Sequence, residues 1–426
     1  MYDGVGMLLE KTSFLSDALV LPGRALKRRS FSPFWLALLA LPFPSLVAAL
    51  GVFGPPPWSG EVWTLVSLTL LAQGLGLFAA ERVLRHPSQE GWGVALMHLL
   101  LATLLLLAFL ALGRLYYSRA YLFLSTLLGV FPYLLLVWLA PPVRLLLLPG
   151  RGGEWLRQVL KDRLASCPYW AKADGVVAEL EDLEPEAYRG LISLWAEGLP
   201  LYDPVSVYEA LQGRVPLALG PKAVLRSLAD RSMGLYTYLK RFWEVGLILV
   251  FSPLIFLVLA LVALLVYLDL GRPVIFAQER MGWKGRPFRA YKFRTMRGAP
   301  RSGVYAGDEG DRITPLGRWL RRFRLDELPQ LWNVLRGEMA LIGPRPEQYV
   351  LAKAYEEANP LYALRHAVRP GLTGWAQVHH GYAEGLEGAM EKLEYDLYYV
   401  KHMSFWLDLN IVVATFRTIL TGFGAK

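Results

Sequence analysis

The chain has 426 residues, of which 54% are hydrophobic and 19% charged, against about 45–50% and about 25% in an ordinary soluble domain. That balance excludes a disordered chain, and a single cysteine, Cys167, excludes a disulfide scaffold or a cysteine-built metal site. The net charge of +9 suits either a nucleic-acid binder or a protein on an anionic membrane, and the placement of the apolar residues decides between them.

The apolar residues are concentrated. Residues 1–32 are of mixed polarity, which argues against a signal peptide and reads as a cytoplasmic N-terminal segment. Four apolar stretches follow at about 34–53, 62–80, 92–112 and 121–140, each near the roughly 20 residues that cross a bilayer as helix. They define a four-helix transmembrane bundle over 33–147. Runs such as 99–112 and 122–139 are apolar on every face, as lipid requires. Pro42 and Pro44 interrupt the first stretch. Arg24, Lys27, Arg28 and Arg29 precede it, Arg82 and Arg85 follow the second, and Arg144 and Arg151 follow the fourth. The loop at 54–60 has no basic residue, so both ends of the unit belong in the cytoplasm, with Arg114 and Arg119 as counter-signals. The spans carry no obvious catalytic polar residue, which leaves them a scaffold, homodimer-forming or partner-docking role.

Residues 148–232 have ordinary polarity and read as a small, reduced cytoplasmic α/β module. A strand at 144–148, a glycine turn (PGRGG, 149–153) and a helical pattern invite a nucleotide site. The spacing misses G-x-G-x-x-G, because Trp155 takes the third glycine's place, and no acidic residue ends a following strand. Packing or regulation is the better reading.

The fifth apolar stretch, at about 243–267, is long enough to span. However, Lys240 and Arg241 precede it and Arg272, Arg280, Lys284, Arg286 and Arg289 follow, so both flanks seek one leaflet. Ser252 and Pro253 lie inside it. Proline removes a helix hydrogen bond, and the serine hydroxyl can bond a freed carbonyl. A helix broken there either re-enters on one side or spans with a kink, and the flanking charge favours re-entry.

Basic residues cluster at 280–297, at 318–324, and at Arg345, Arg365 and Arg369. No zinc, helix-turn-helix or ribonucleoprotein signature accompanies them, so a nucleic-acid partner is not expected. Arginines that grip the phosphates of a small substrate, with others on lipid headgroups, explain the same charge. Within RRFRLDELPQ (321–330) stand two adjacent carboxylates, Asp326 and Glu327. Helical neighbours diverge by about 100°, so they suit separate tasks: one faces a substrate and the other holds a hard cation. Nearby guanidinium groups are expected to keep Asp326 ionised and nucleophilic. Alone, such a pair is more often a solvated helix surface. In GPRPE (343–347) two prolines fix Arg345, and RPGLTGW (369–375) is a second turn bearing an arginine. His379 and His380 lack a spaced partner for metal, and no G-x-S-x-G elbow occurs. Residues 404–420 form an apolar helix whose breaks at Asp408, Asn410 and Arg417 favour an interfacial position over a core one.

The motifs KRFWE (240–244) with Ser252 and Pro253, QERMG (278–282), KFRTM (292–296), LDELPQLWN (325–333), GPRP (343–346) and RPGLTGWAQ (369–377) occur in this order. Together they resemble the bacterial sugar transferase family of monotopic phosphoglycosyl transferases, in its long form with an N-terminal membrane bundle. The resemblance implies a mainly α catalytic domain over 233–426, anchored in the bacterial cytoplasmic membrane by a re-entrant helix and facing the cytoplasm. It also implies an enzyme that transfers sugar-1-phosphate from a UDP-sugar to undecaprenyl phosphate and releases UMP. That would be the first membrane step of exopolysaccharide, capsule or O-antigen synthesis. Carried over by motif, Asp326 would attack the β-phosphate and form an aspartyl-phosphosugar, Glu327 would hold Mg²⁺, and Lys292, Arg294, Arg321, Arg345 and Arg369 would contact phosphate or nucleotide. Arg324 departs from the family pattern, where a small polar residue usually precedes the leucine. The rival reading is a membrane scaffold that has lost the chemistry.

Overall fold

The computed structural model describes residues 17–21, 33–83, 91–138, 143–148, 150–166, 173–182, 185–196, 198–229, 235–298, 312–380 and 385–421. Arg24, Lys27, Arg28, Arg29, Arg85 and Cys167 lie outside them. Two compact units divide the chain at Gly213 and Arg214.

In the first unit the apolar stretches are helical: α1 (Pro33–Ala40) and α2 (Pro42–Phe53), then α3 (Gly60–Val83), α4 (Gly91–Leu112) and α5 (Arg119–Trp138). Leu41 separates α1 from α2, where Pro42 has no N–H to continue the ladder. Small and apolar residues fill the interior, among them Ala48, Ala49, Leu65, Leu106 and Tyr121. Leu104 and Leu105 are 63% and 61% exposed, so apolar side chains face outward as well as inward, the mark of helices solvated by lipid. Among the described residues five helical stretches are long and apolar enough to cross a membrane, four here and one in the second unit. The chain is a membrane protein. A polar layer lies inside the bundle: Gln73 donates to the Ser125 carbonyl (3.3 Å) and Tyr133 donates to the Gln73 carbonyl (2.6 Å).

The same unit holds a five-stranded sheet in the order β3-β1-β2-β4-β5, with β1 at Asp17–Leu21, β2 at Val143–Leu147, β3 at Leu164–Ser166, β4 at Gly175–Val177 and β5 at Leu201–Tyr202. β2, β4 and β5 are parallel, while β1 runs antiparallel to β2 and β3, with Leu19 opposite both Leu145 and Leu164. Helices α6 (Arg151–Val159) and α8 (Pro204–Gln212) share a core with Leu145, Leu147 and Val177. Helix α7 (Pro185–Ala196) covers Leu148, Val176 and Ala178 through Leu191 and Leu194. The glycine turn joins β2 to α6, and a Cβ at Gly153 would sit 2.2 Å from the Leu148 carbonyl oxygen, so only glycine starts the helix there. The N-terminal segment, which sequence reading left without structure, thus supplies a strand. β1 precedes the four apolar stretches and β2 follows them, yet the two strands lie side by side.

The second unit opens with α9 (Pro221–Ala229) and α10 (Tyr236–Val250). Val215 and Val224, placed by sequence in the middle module, lie in this unit's core with Trp375, Tyr362, Leu393, Leu397 and Tyr399. Phe251 breaks the helix, α11 (Ser252–Leu270) follows, and Ser252 Oγ donates to the Leu249 carbonyl at 2.7 Å. Residues Phe256 and Leu257 are exposed and little of α11 is covered. A hairpin follows, β6 (Ile275–Met281) and β7 (Pro287–Phe293), then α12 (Pro315–Arg322), α13 (Gln330–Arg336), β8 (Ala340–Ile342) and α14 (Tyr349–Ala358). β9 (Gly371–Thr373) pairs in parallel with β8, and α15 (Trp375–His379), α16 (Gly385–His402) and α17 (Phe405–Thr421) complete the unit.

Helix α17 turns one face into the protein and leaves apolar side chains on the other, with Phe405 and Phe416 exposed. Leu407 and Ile411 are in the core, and Asn410 is buried. Asp408 accepts from Tyr236 (2.6 Å), Tyr399 (2.8 Å) and Lys240. Asp408 thus points inward to a hydrogen-bonded network, which makes its burial affordable.

Candidate active site

The β6–β7 hairpin sets Lys292 opposite Phe276, one residue before β7 ends. Beyond it the Thr314 hydroxyl donates to Asp269 Oδ2 (2.6 Å) and accepts from the Gly317 amide (2.9 Å). One side chain therefore caps α12 and ties its start to the end of α11. Helix α12 stops at Phe323, and Arg324 takes a left-handed conformation (φ 56°, ψ 22°) that turns the chain inward. A short 3₁₀ turn, Leu325–Glu327, then places the two carboxylates under α13, with Asp326 7% and Glu327 5% exposed.

Glu327 is the electrostatic centre. Its Oε1 lies 2.6 Å from Lys292 Nζ and 2.5 Å from Arg345 Nη2, and its Oε2 lies 3.2 Å from Arg345 Nη1. Arg345 thus grips it with both nitrogens of the fork. Arg280 supports the Arg345 loop by donating to the Pro346 carbonyl (2.7 Å), and Arg365, paired with Asp396 at 2.6 Å, donates to the Arg345 carbonyl (2.9 Å). Asn333 joins the strand of Lys292 to the helix after the carboxylates: it donates to the Arg289 carbonyl (2.7 Å) and Glu338 (2.7 Å) and accepts from the Tyr291 amide (3.2 Å).

Asp326 differs from its neighbour. Among the described residues it has no ion pair within 4 Å. Burial, and then the charge of Glu327, push its carboxyl above the ordinary range, against the pull of Lys292, Arg321 and Arg345. Burial would raise Glu327 as well, but Arg345 and Lys292 hold it well below the ordinary range. Sequence reading expected the guanidinium groups to secure the charge on Asp326; they secure it on Glu327, because that is the carboxylate they touch. Burial, opposing the attraction of Glu327, lowers Lys292.

Of the other expected contacts, Arg321 is near: its Nε donates to Thr295 Oγ1 (3.0 Å) and its charge acts on Asp326. Arg294 is turned to the backbone, donating to the Met296 (3.2 Å) and Arg272 (3.3 Å) carbonyls. Arg369 sits apart, 4.4 Å from the Trp283 ring centroid and donating to the Gly337 carbonyl (3.0 Å), in a cavity lined also by Lys240, Arg241 and Glu244. Sequence reading did not single out Arg280, Thr295 or Asn333, and only the motifs around them carried a signal. Among the described residues no cluster of three metal-ligating side chains occurs. His379 bonds the Trp375 carbonyl (2.9 Å) and His380 pairs with Glu391.

Among the described residues the site offers a divalent cation two adjacent carboxylates and no third acidic or histidine ligand. That donor set fits Mg²⁺, which commonly takes one or two carboxylates and completes its shell with water and substrate oxygens. A phosphate-bearing substrate fits the surrounding cations equally well.

These residues lie within a stretch that is similar to known proteins. The model of the bacterial sugar transferase family matches residues 235–422. The chain is 41% identical over 277 residues to a UDP-N-acetylgalactosamine-undecaprenyl-phosphate N-acetylgalactosaminephosphotransferase of Aeromonas hydrophila, covering 64% of each protein. It is 40% identical over 197 residues to a UDP-glucose:undecaprenyl-phosphate glucose-1-phosphate transferase of Escherichia coli (strain K12), covering 45% of this chain and 42% of that one. It is 40% identical over 193 residues to the exopolysaccharide production protein PSS of Rhizobium leguminosarum bv. phaseoli, covering 42% of this chain and 92% of the relative. The first two matches span less than two thirds of those relatives' length.

Proposed function

The chain belongs to the bacterial sugar transferase family, and from that premise we propose that it transfers sugar-1-phosphate from a UDP-sugar to undecaprenyl phosphate, releasing UMP. The observation that carries the reading is the contrast within the acidic pair. Glu327 is paired with Lys292 and Arg345, whereas the buried Asp326 beside it keeps its oxygens for an electrophile.

In this reading an Asp326 oxygen attacks the β-phosphorus of the donor, a P–O bond forms, and the bridging P–O bond to the α-phosphate breaks. UMP departs with the bonding electrons and an aspartyl-phosphosugar remains. An oxygen of undecaprenyl phosphate then attacks the same phosphorus and frees the Asp326 carboxylate. Lys292, Arg345 and Arg321 bind and orient the phosphoryl oxygens and stabilise the charge that moves between them. Glu327, with Asp326, would hold Mg²⁺, which supplies charge neutralisation for the diphosphate. The broken helix α10–α11, flanked by basic residues at both ends, supports a re-entrant anchor that keeps this pocket at the cytoplasmic face of the inner membrane, where soluble donor and lipid acceptor meet. The pairing of β1 with β2 supports an even number of crossings between them, with both ends in the cytoplasm.

Two of the three relatives above carry different sugars in their names, so a panel of UDP-sugars with UMP release as readout identifies the donor. Asp326→Asn is expected to abolish turnover and the radiolabelled phosphosugar adduct formed without lipid acceptor. Full turnover in that variant refutes the assignment.

A further inference from the structure

Arg324 is the departure from the family pattern, and the structure gives it an unusual setting. Its backbone is left-handed, a conformation that glycine adopts freely and an arginine does not. The turn itself needs only backbone: Arg324 N–H donates to the Arg321 carbonyl (3.1 Å), and its own carbonyl accepts from the Glu327 amide (3.2 Å). An arginine here is therefore a poor choice for the turn, and its use must lie in the side chain.

That side chain is 27% exposed and reaches toward the acidic pair, yet stops short of it. Nη1 lies 3.9 Å from Glu327 Oε2, beyond hydrogen-bond distance, because Lys292 and Arg345 already occupy that carboxylate. Arg324 thus feels the attraction of Asp326 and Glu327 and the repulsion of Arg345 without a short partner in the pair. A planar guanidinium held half-covered beside a nucleophile, with donors unspent on it, is arranged to receive an anion.

We propose that Arg324 is a phosphate-binding residue of the donor site, taking a non-bridging oxygen of the nucleoside diphosphate as that group reaches Asp326. The inference rests on the proposed function and adds to it one contact with the donor.

The test uses the full-length protein in detergent, with Arg324→Gly and Arg324→Lys beside the wild type. UDP affinity is measured by calorimetry, donor and acceptor KM by UMP release, and Tm by thermal unfolding. Glycine relaxes the turn, so Arg324→Gly is expected to keep or raise Tm while UDP affinity falls and donor KM rises by roughly tenfold, the scale of one charge-assisted hydrogen bond. Arg324→Lys, a point charge without the fork, is expected to fall between. Unchanged UDP affinity and donor KM in Arg324→Gly, or a rise confined to the acceptor KM, overturns the inference while wild-type turnover leaves the proposed function standing. A wild type that neither binds UDP nor releases UMP from any UDP-sugar overturns the function and this inference with it.

Discussion

Asp326 and Glu327 are neighbours in sequence with opposite electrostatics, and the consequences can be separated by pH. A carboxyl raised on folding contributes stability that is full in acid and lost as pH rises through its folded value, so ionised Asp326 costs stability at neutral pH. Asp326→Asn should therefore raise Tm at pH 7, with the gain vanishing in acid below the ordinary carboxylate range, while UMP release is absent at every pH. In the wild type, turnover should fall on the acidic side as the raised Asp326 takes up its proton, at a pH above that of an ordinary aspartate. Glu327 works the other way. Held low by Arg345 and Lys292, it contributes stability above its ordinary value that is lost as pH falls through its depressed one. Glu327→Gln leaves two half-buried cations without their counter-charge. A loss of about 2 kcal/mol is expected by denaturant unfolding, less than for a fully buried pair because the Arg345 side chain is 34% exposed. As candidates, both acids were legible from the motif. Their division of charge was not, because it depends on which carboxylate the 3₁₀ turn presents to cations from two distant strands and loops.

At the scale of elements, two sequence readings met the structure differently. The break at Ser252 and Pro253 was legible because proline acts locally, whatever surrounds it, and the serine bond to Leu249 is the local repair. Helix α17 was less legible, because an apolar helix with polar breaks looks the same whether the breaks meet water or a buried partner, and Asp408's partners lie on α10 and α16. The membrane reading of α10–α11 is testable with Tyr238→Cys and Arg272→Cys, one on each flank. A hairpin makes both cysteines accessible to an impermeant maleimide from the cytoplasmic face alone; labelling from opposite faces would establish a span. Asn333 is the structural link between the elements that carry Lys292 and the acidic pair. Asn333→Ala removes three hydrogen bonds at a fully buried position and leaves the Arg289 carbonyl and Tyr291 amide unpaired. About 2 kcal/mol of stability should be lost, and kcat should fall more than donor KM rises, because Lys292 loses its register with Asp326.

At the scale of the molecule, the chemistry and the long apolar bundle belong to different units. The motifs, both carboxylates and their cations all lie beyond Arg214, with a core of their own that begins at Val215. The match that covers 92% of one relative uses only 42% of this chain, so that relative is no larger than the second unit. The first unit could not be fully read from sequence because β1 is five residues long and its partners lie more than a hundred residues away, across the whole apolar bundle. No local pattern announces such a pairing. β1 is nevertheless central, bonded on both edges, so Leu19→Pro should remove ladder bonds that have no substitute and unfold the sheet. Limited proteolysis should then cut the 143–202 region readily. If chemistry resides wholly in the second unit, that variant keeps UMP release near the wild-type rate, and residues 214–426 expressed alone in detergent do the same. Loss of UMP release in both, with the second unit still folded by thermal unfolding, would show that the bundle and sheet do more than hold the enzyme at the membrane.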